Sequence, residues 1–332
     1  MTMEELARQL GVSKSTVSRA LSGKGRIAED TREQIRACAA KYGMTAERKA
    51  HKSLVHTYNL GVSLPVDVYN TSIPFFQECL MGICEVAAKR NYNVLITNRT
   101  ADDISAIRAL VEQKKVDGII LTRCLEEDAA VKYLTKKGFP TAMTGRCSSS
   151  KVIQVDCDNY EASKALVKAL VQKGYRRFAM VLGNMSYSVN AKRKQGFQEA
   201  LKEQGIAVEQ QLIYINFDKT DFLDNLIQEL MSKRVECVIC GDDVICTVLT
   251  SRLQSEGYRI PKDISVASLH NSSNLECFTP AITAVNVDAK SLGRQVGTQM
   301  LDYLMGNSFQ QSICVDYEIL MKKSTAGIWR EK

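Results

Sequence analysis

Apolar residues in the first 43 positions fall at helical spacing, in short pieces separated by glycines. Leu6 and Leu10 stand four apart, which stacks them on one helical face. Thr2, with Glu5 three residues on, suits the start of that helix, and Gly11 breaks it. Ser13 begins a second helix on which Val17 and Leu21 share a face, with Val12 as its apolar lead-in. Ser22-Gly23-Lys24-Gly25 predicts a loop, and residues 29–42 predict a third helix with Ile35, Ala39 and Tyr42 on one side. Residues 44–58 are polar and basic, and a polar helix alone in water is marginal, so they are expected to be a linker that orders only on binding. From Asn59 the pattern changes to short apolar runs alternating with amphipathic segments: 60–64 then 75–89, 94–96 then 104–113, 118–121 then 128–136. The alternation resumes at 178–182 before 191–204, 212–217 before 222–232, and 235–240 before 244–256, with 264–269 following. Such alternation predicts parallel sheets built from strand–helix units. About nine or ten units exceed one sheet, so the expectation is two doubly wound lobes with a ligand cleft between them.

Charge changes this picture at one end. Residues 1–60 hold 11 basic and 6 acidic side chains, a net of +5 out of +7 for all 332 residues. A basic arm on a nearly neutral body points to a polyanionic partner. At 45% apolar and 24% charged the chain is an ordinary globular sequence. No window approaches the ~18 consecutive apolar residues of a membrane span, and the start shows no secretory core, so a cytoplasmic protein without membrane attachment is expected. Eleven cysteines without an export signal imply reduced thiols.

The chemistry at the basic end is concrete. The run from Leu6 to Leu21 has helix-turn-helix spacing: Ala7 faces the second helix, Gly11 makes the turn, and Val12, Val17 and Leu21 bury it. Lys14, Ser15, Ser18 and Arg19 are left facing outward, where a helix in a major groove presents side chains to base edges. Ser13 and Thr16 suit phosphate oxygens at the helix start. A plain helical hairpin with a solvated face has the same spacing.

Residues 6–21, followed by Gly23-Lys24-Gly25 and Glu29-Asp30-Thr31-Arg32-Glu33, resemble the DNA-binding head of the LacI/GalR family of bacterial transcription regulators. The resemblance continues through Pro74-Phe75-Phe76, Val116-Asp117-Gly118-Ile119-Ile120, Gly196-Phe197 with Ala200-Leu201, residues 260–266, and Phe278-Thr279-Pro280 with Ile282-Thr283. It implies an α/β chain: an N-terminal all-α head on a two-lobed, periplasmic-binding-protein-like core of doubly wound parallel sheets. The expected divisions are a helix-turn-helix domain at 1–43, a hinge at 44–58 and an effector-binding core at 59–332. Within the core one lobe takes about 59–158 and 289–318, the other about 159–288 and 319–332. The implied function is a sequence-specific regulator, a repressor, controlled by a small molecule held between the lobes, with a carbohydrate as the expected class and a nucleobase, nucleoside or acid as the alternatives.

The resemblance places base-reading residues at Lys14, Ser15 and Arg19. The hinge departs from the family pattern, since the Tyr-x-Pro-Asn start reads Tyr42-Gly43-Met44-Thr45 and the wedging leucine falls near Lys52. An apolar wedge is needed to unstack a base step. Arg48, Lys49 and Lys52 either bind the phosphate backbone or belong to a solvated linker. Effector contacts carry over to Phe75, Phe76, Arg193, Phe217, Asp242 and His270, with Arg146 and Asp158 at further strand ends. His270 stands where the family has an aspartate, so a neutral donor–acceptor replaces a charge. The expected partners are near-palindromic double-stranded DNA, a small-molecule effector and a second copy of the chain. The last nine residues carry no leucine heptad, which implies a dimer rather than a coiled-coil tetramer.

Two other classes compete. An α/β enzyme would need a phosphate loop, a dinucleotide fingerprint or a Gly-x-Ser-x-Gly elbow, and none is present. Three histidines, His51, His56 and His270, make a histidine-based catalytic or metal cluster improbable. Cys237 and Cys240 have pair spacing, but strand alternation sends their thiols to opposite faces. No cofactor, metal or catalytic residue is therefore expected. A solute-binding protein without DNA regulation is the remaining alternative, against which the basic head argues.

Overall fold

The structure, a computed structural model, describes residues 3–22, 27–41, 56–65, 74–217 and 223–327. Backbone contacts divide the chain into two compact units, one taking in residues 1–57 and 301–309, the other 58–300 and 310–332.

In the first unit three helices, α1 (Met3–Gln9), α2 (Lys14–Ser22) and α3 (Glu29–Lys41), surround one small core. Leu6, Ala7, Val17, Ala20, Leu21, Ile35 and Ala39 are buried in it. Gly11 turns the chain between α1 and α2 at φ +64°, a left-handed backbone that is costly for a residue with a β-carbon. The amide of Val12 closes the turn on the Ala7 carbonyl at 3.0 Å. Thr2, Gly23-Lys24-Gly25, Tyr42 and the linker residues Arg48, Lys49 and Lys52 lie outside the described residues.

The second unit holds two six-stranded sheets. In the N-lobe, β1 (Asn59–Pro65), β2 (Asn93–Arg99), β3 (Gly118–Leu121), β4 (Thr141–Thr144) and β5 (Ile153–Cys157) run parallel in the order 5-4-3-1-2. In the C-lobe, β6 (Phe178–Val181), β7 (Leu212–Tyr214), β8 (Cys237–Cys240), β9 (Ser265–Ser268) and β10 (Thr283–Asn286) repeat the order as 10-9-8-6-7. The chain then adds β11 (Ser312–Val315) beside β5 in parallel, and β12 (Glu318–Leu320) beside β10 antiparallel. Central strands β3, β4, β6, β8 and β9 are buried at every position, as sheets covered by helices on both faces require. Strand order reverses next to β1 in one lobe and next to β6 in the other. Crevices at such reversals, outside the carboxyl ends of the strands, are where doubly wound sheets bind ligands.

One sequence expectation changes in detail. The apolar run 212–217 predicts a single strand, but β7 ends at Tyr214. Asn216 takes φ +57° and its amide bonds the Gly183 carbonyl, so the chain turns over the end of β6. Phe217 then packs against the C-lobe core.

Candidate functional site: a basic helix and an interlobe cavity

On the head, α2 is set by its first residues. The Ser13 hydroxyl accepts from the Thr16 amide at 3.1 Å, an N-cap, and also lies 2.8 Å from the hydroxyls of Ser15 and Thr16. Val17, Ala20 and Leu21 turn inward, which leaves Lys14, Ser15 and Arg19 exposed and Thr16 and Ser18 half-buried. One face of a nine-residue helix thus carries two cations and a row of hydroxyls, with no acidic residue in its first turn.

In the core, the residues just past the strand ends of both lobes enclose a cavity of about 720 Å³ counted to its open mouth. The N-lobe contributes Phe75, Thr122, Arg123, Cys124 and Asp156, and the C-lobe contributes Ser188, Val189, Arg193, Asp242 and His270. Arg193 is placed by close helix packing. Helix Ser188–Glu203 lies against helix Asn159–Gln172 at Gly196, where a β-carbon would sit 2.2 Å from the Tyr160 carbonyl oxygen. Ser163 donates to the Arg193 carbonyl at 2.8 Å across the same contact. The guanidinium donates through Nη1 to the Gly241 carbonyl at 2.7 Å, while its buried Nε has no hydrogen-bond partner. Burial lowers the pKa of this guanidinium.

The cavity's carboxylates are partly committed. Asp242 caps helix Asp243–Ser255 by accepting from the Ile245 amide at 2.9 Å, and burial raises its pKa against the pull of Arg193 and Arg123. Burial also raises Asp156 to about 6, again against nearby arginines. His270 is 7% exposed, with its ring edge-on to Phe75 at 5.4 Å. Burial, with Arg193 and Arg123 adding to it, holds its pKa down at about 3, so the imidazole is neutral. Burial pushes the Cys124 and Cys157 thiols up to about 12, which makes them apolar wall rather than nucleophiles. The cavity can therefore offer forked donors, carboxylate acceptors, one neutral imidazole and an aromatic edge. It holds no activated nucleophile, and no group of three metal-ligating side chains occurs among the described residues.

Sequence reasoning foresaw part of this wall. Phe75, Arg193, Asp242 and His270 line the cavity together. Phe76 lies behind it, 6% exposed, under the Arg123 guanidinium at 5.2 Å. Arg146 and Asp158 line an adjoining chamber, where Asp158 caps helix Asn159–Gln172 through the Glu161 amide. Phe217 is absent from both walls. Arg123, two residues past the apolar strand 118–121, was missed.

Arg123 belongs to a loop that joins the lobes. Its guanidinium stacks on Tyr187 of the C-lobe at 4.1 Å. Leu125 forms an antiparallel bridge with Tyr187, the Glu126 amide donates to Ser186, and the Ser188 amide donates to Cys124. Beneath the loop Arg99 and Asp128 form a bidentate ion pair with bonds of 2.7 and 2.9 Å. Arg99 Nη2 also donates to the Arg123 carbonyl at 2.6 Å.

Comparison with known proteins gives this architecture its family. Residues 2–45 match the bacterial regulatory proteins of the lacI family, and residues 60–315 match the periplasmic binding proteins and sugar binding domain of LacI family. The chain belongs to the LacI family, and it is a DNA-binding transcriptional regulator rather than an enzyme. It is 26% identical to the HTH-type transcriptional regulator CelR of Thermobifida fusca, covering 92% of this chain and 93% of that one. It is 25% identical to the HTH-type transcriptional repressor PurR of Erwinia tasmaniensis, covering 98% and 97%. Among solved structures, a CelR–cellobiose complex superposes with a TM-score of 0.72 at 22% identity, over 98% of this chain and 99% of that one. No helix among the described residues is long and apolar enough to cross a membrane.

Proposed function

We propose that this regulator is a repressor that acts as a homodimer in the cytoplasm on a near-palindromic operator, and that a neutral carbohydrate held between the lobes sets its DNA affinity. The observation that carries the effector class is the cavity wall. Arg193 with an unpartnered Nε, Asp156, Asp242 and a neutral His270 line the same cavity as Phe75. Alternating forked donors and carboxylates match the donor–acceptor character of adjacent hydroxyls, and an aromatic edge suits the apolar side of a sugar ring. The related CelR in complex with cellobiose supports the same class.

On the head, Arg19 and Lys14 are assigned to base edges, with Ser15 and Ser18 beside them and Ser13 and Thr16 toward phosphates. Arg48, Lys49 and Lys52 are assigned to the phosphate backbone. A two-fold protein matches a two-fold site and doubles the basic charge. Exposed Met81 and Ile96, on a core helix and on edge strand β2, support an apolar contact between copies. Control works by linkage, since a ligand that prefers one lobe arrangement shifts the population that binds DNA.

The test uses the full-length protein. Duplexes are selected from a random pool, and the affinity of the selected site is measured by fluorescence anisotropy with and without glucose, galactose, maltose, cellobiose and lactose. A shift of about tenfold or more with one sugar, lost in Arg193→Ala, is expected for a coupling of ordinary size. Unchanged affinity with every sugar overturns the effector class, and a palindrome-free selected site overturns the dimer.

A further inference from the structure

The interlobe cavity does not end at the wall described above. A second chamber of about 730 Å³, counted to its open mouth, adjoins it and shares Asp156, Cys157, Asn159, Ser188 and Val189 as lining. Helical spacing divides the roles of helix Ser188–Glu203 between them. Ser188, Lys192 and Gln195, at i, i+4 and i+7, form one stripe facing the outer chamber, while Arg193 faces the inner one. Across from that stripe stand Arg146, Asp158 and Tyr160.

Most residues lining the outer chamber are polar, and three of its donor side chains are unspent. Lys192, Gln195 and Arg146 make no side-chain hydrogen bond or ion pair among the described residues. Two cations, Arg146 and Lys192, stand against two carboxyls, Asp156 and Asp158, so the lining carries no formal excess of either sign. A balanced, hydroxyl-matching surface with a phenol ring beside it suits an uncharged polyol rather than an anion.

We infer that the two chambers are consecutive subsites of one elongated ligand, so that the effector is an oligosaccharide of at least two units, with the second unit held by Lys192 and Gln195. The inference rests on the carbohydrate reading of the inner cavity and specifies its length. Asp156 and Asn159, common to both chambers, lie where the linkage between units passes. Lys192 and Gln195 are then specificity-determining residues for chain length, and Arg193 is not.

Isothermal titration of the full-length protein with glucose, galactose, maltose, cellobiose, lactose, maltotriose and cellotriose tests this. At least one disaccharide is expected to bind about tenfold or more tightly than its own monosaccharide, the worth of one or two added hydrogen bonds. Lys192→Ala/Gln195→Ala should remove that gain and leave monosaccharide affinity within about twofold. Both residues are exposed, and thermal unfolding of the double variant checks that it folds. A monosaccharide that binds as tightly as its disaccharides, or a double variant that leaves the disaccharide gain intact, overturns the outer subsite while the carbohydrate reading stands. Absence of binding by every sugar overturns that reading and the subsite with it.

Discussion

Removing the Asp128 carboxylate should be among the most damaging single changes in the core. Both side chains of the Arg99–Asp128 pair are nearly inaccessible, at 4% and 2% exposure. The aspartate carries more than the ion pair, because Oδ1 also accepts from the amides of Ala130 and Val131 and Oδ2 from that of Leu125. In Asp128→Ala the guanidinium stays buried without a counter-charge, which costs about 3–5 kcal/mol. Loss of the helix cap adds about 1 kcal/mol. The sum of about 4–6 kcal/mol is a large part of an ordinary folding free energy of ~5–15 kcal/mol. Asp128→Ser keeps a capping oxygen, and Arg99→Met fills the space of the arginine stem without a charge. The double variant Arg99→Met/Asp128→Ser removes both charges and should recover most of the loss, since a buried pair replaced by uncharged groups is often close to neutral. Urea unfolding of the wild type, the two single variants and the double variant gives the coupling energy directly. We expect at least about 2 kcal/mol of coupling, and a value below about 0.5 kcal/mol would refute the assignment of the pair as a buried, mutually dependent unit.

Three further outcomes follow from other parts of the chain. Arg19→Ala should weaken binding to the selected operator by about 1–3 kcal/mol and to random duplex far less, measured at fixed salt; equal loss on both would sink the base-reading role. Gly196→Ala places a methyl 2.2 Å from the Tyr160 carbonyl and should destabilise the core by about 1–3 kcal/mol in thermal unfolding, whereas an unchanged midpoint would mean that the helix pair yields freely. His270 is neutral in the folded state, with a pKa of about 3 against 6.5 unfolded, so below pH 6.5 only the unfolded chain takes up its proton. Stability should therefore fall on acidification by up to about 1.4 kcal/mol per pH unit between 6.5 and 3. Asp156 and Asp243, raised by burial to about 6, act in the opposite sense, gaining stability as pH falls from 6 toward 3.8. The difference between wild type and His270→Gln cancels the carboxyls, and a difference that stays flat from pH 7 to 5 would contradict a buried neutral imidazole.

What was legible in the sequence was local. Leu6, Val17 and Leu21 announced the head because helical spacing and burial coincide there. The parallel sheets announced themselves through unbroken apolar runs such as 118–121 and 237–240, buried on both faces. Phe75, Arg193, Asp242 and His270 were placed by the resemblance to the LacI/GalR family, and all four line one cavity. The resemblance also assigned Phe217 to the cleft, but Asn216 adopts a left-handed backbone, the strand stops early, and Phe217 packs against the C-lobe core. The loop carrying Arg123 was opaque for another reason. It is held by Arg99, which ends β2, and by Tyr187, which precedes a helix of the other lobe. No period along the chain encodes such pairings.

The same loop explains how occupancy of the cavity could reach the arrangement of the lobes. Cys124 and Ser188 line the cavity, and they are also the carbonyl and amide that bond across the lobes at 3.3 Å. A ligand touching them acts on the closure itself. Proline at position 188 abolishes that bond, since Ser188 is the first residue of its helix, where proline costs nothing in helical hydrogen bonding. Tyr187 before it is extended at φ −83° and ψ 122°, the conformation that a following proline requires. Ser188→Pro thus replaces the amide donor by a ring carbon set against the Cys124 carbonyl while leaving the helix intact, and Ser188→Ala deletes only the hydroxyl. Relative to Ser188→Ala, the proline variant should lose at least about 0.5–1.5 kcal/mol of effector affinity, roughly two- to tenfold or more by calorimetry. Its unfolding midpoint should stay within a few degrees of that of the alanine variant. Equal affinity in the two variants would show that the interlobe bond carries no part of the closed state's advantage, and closure would then have to be driven by contacts to the ligand alone.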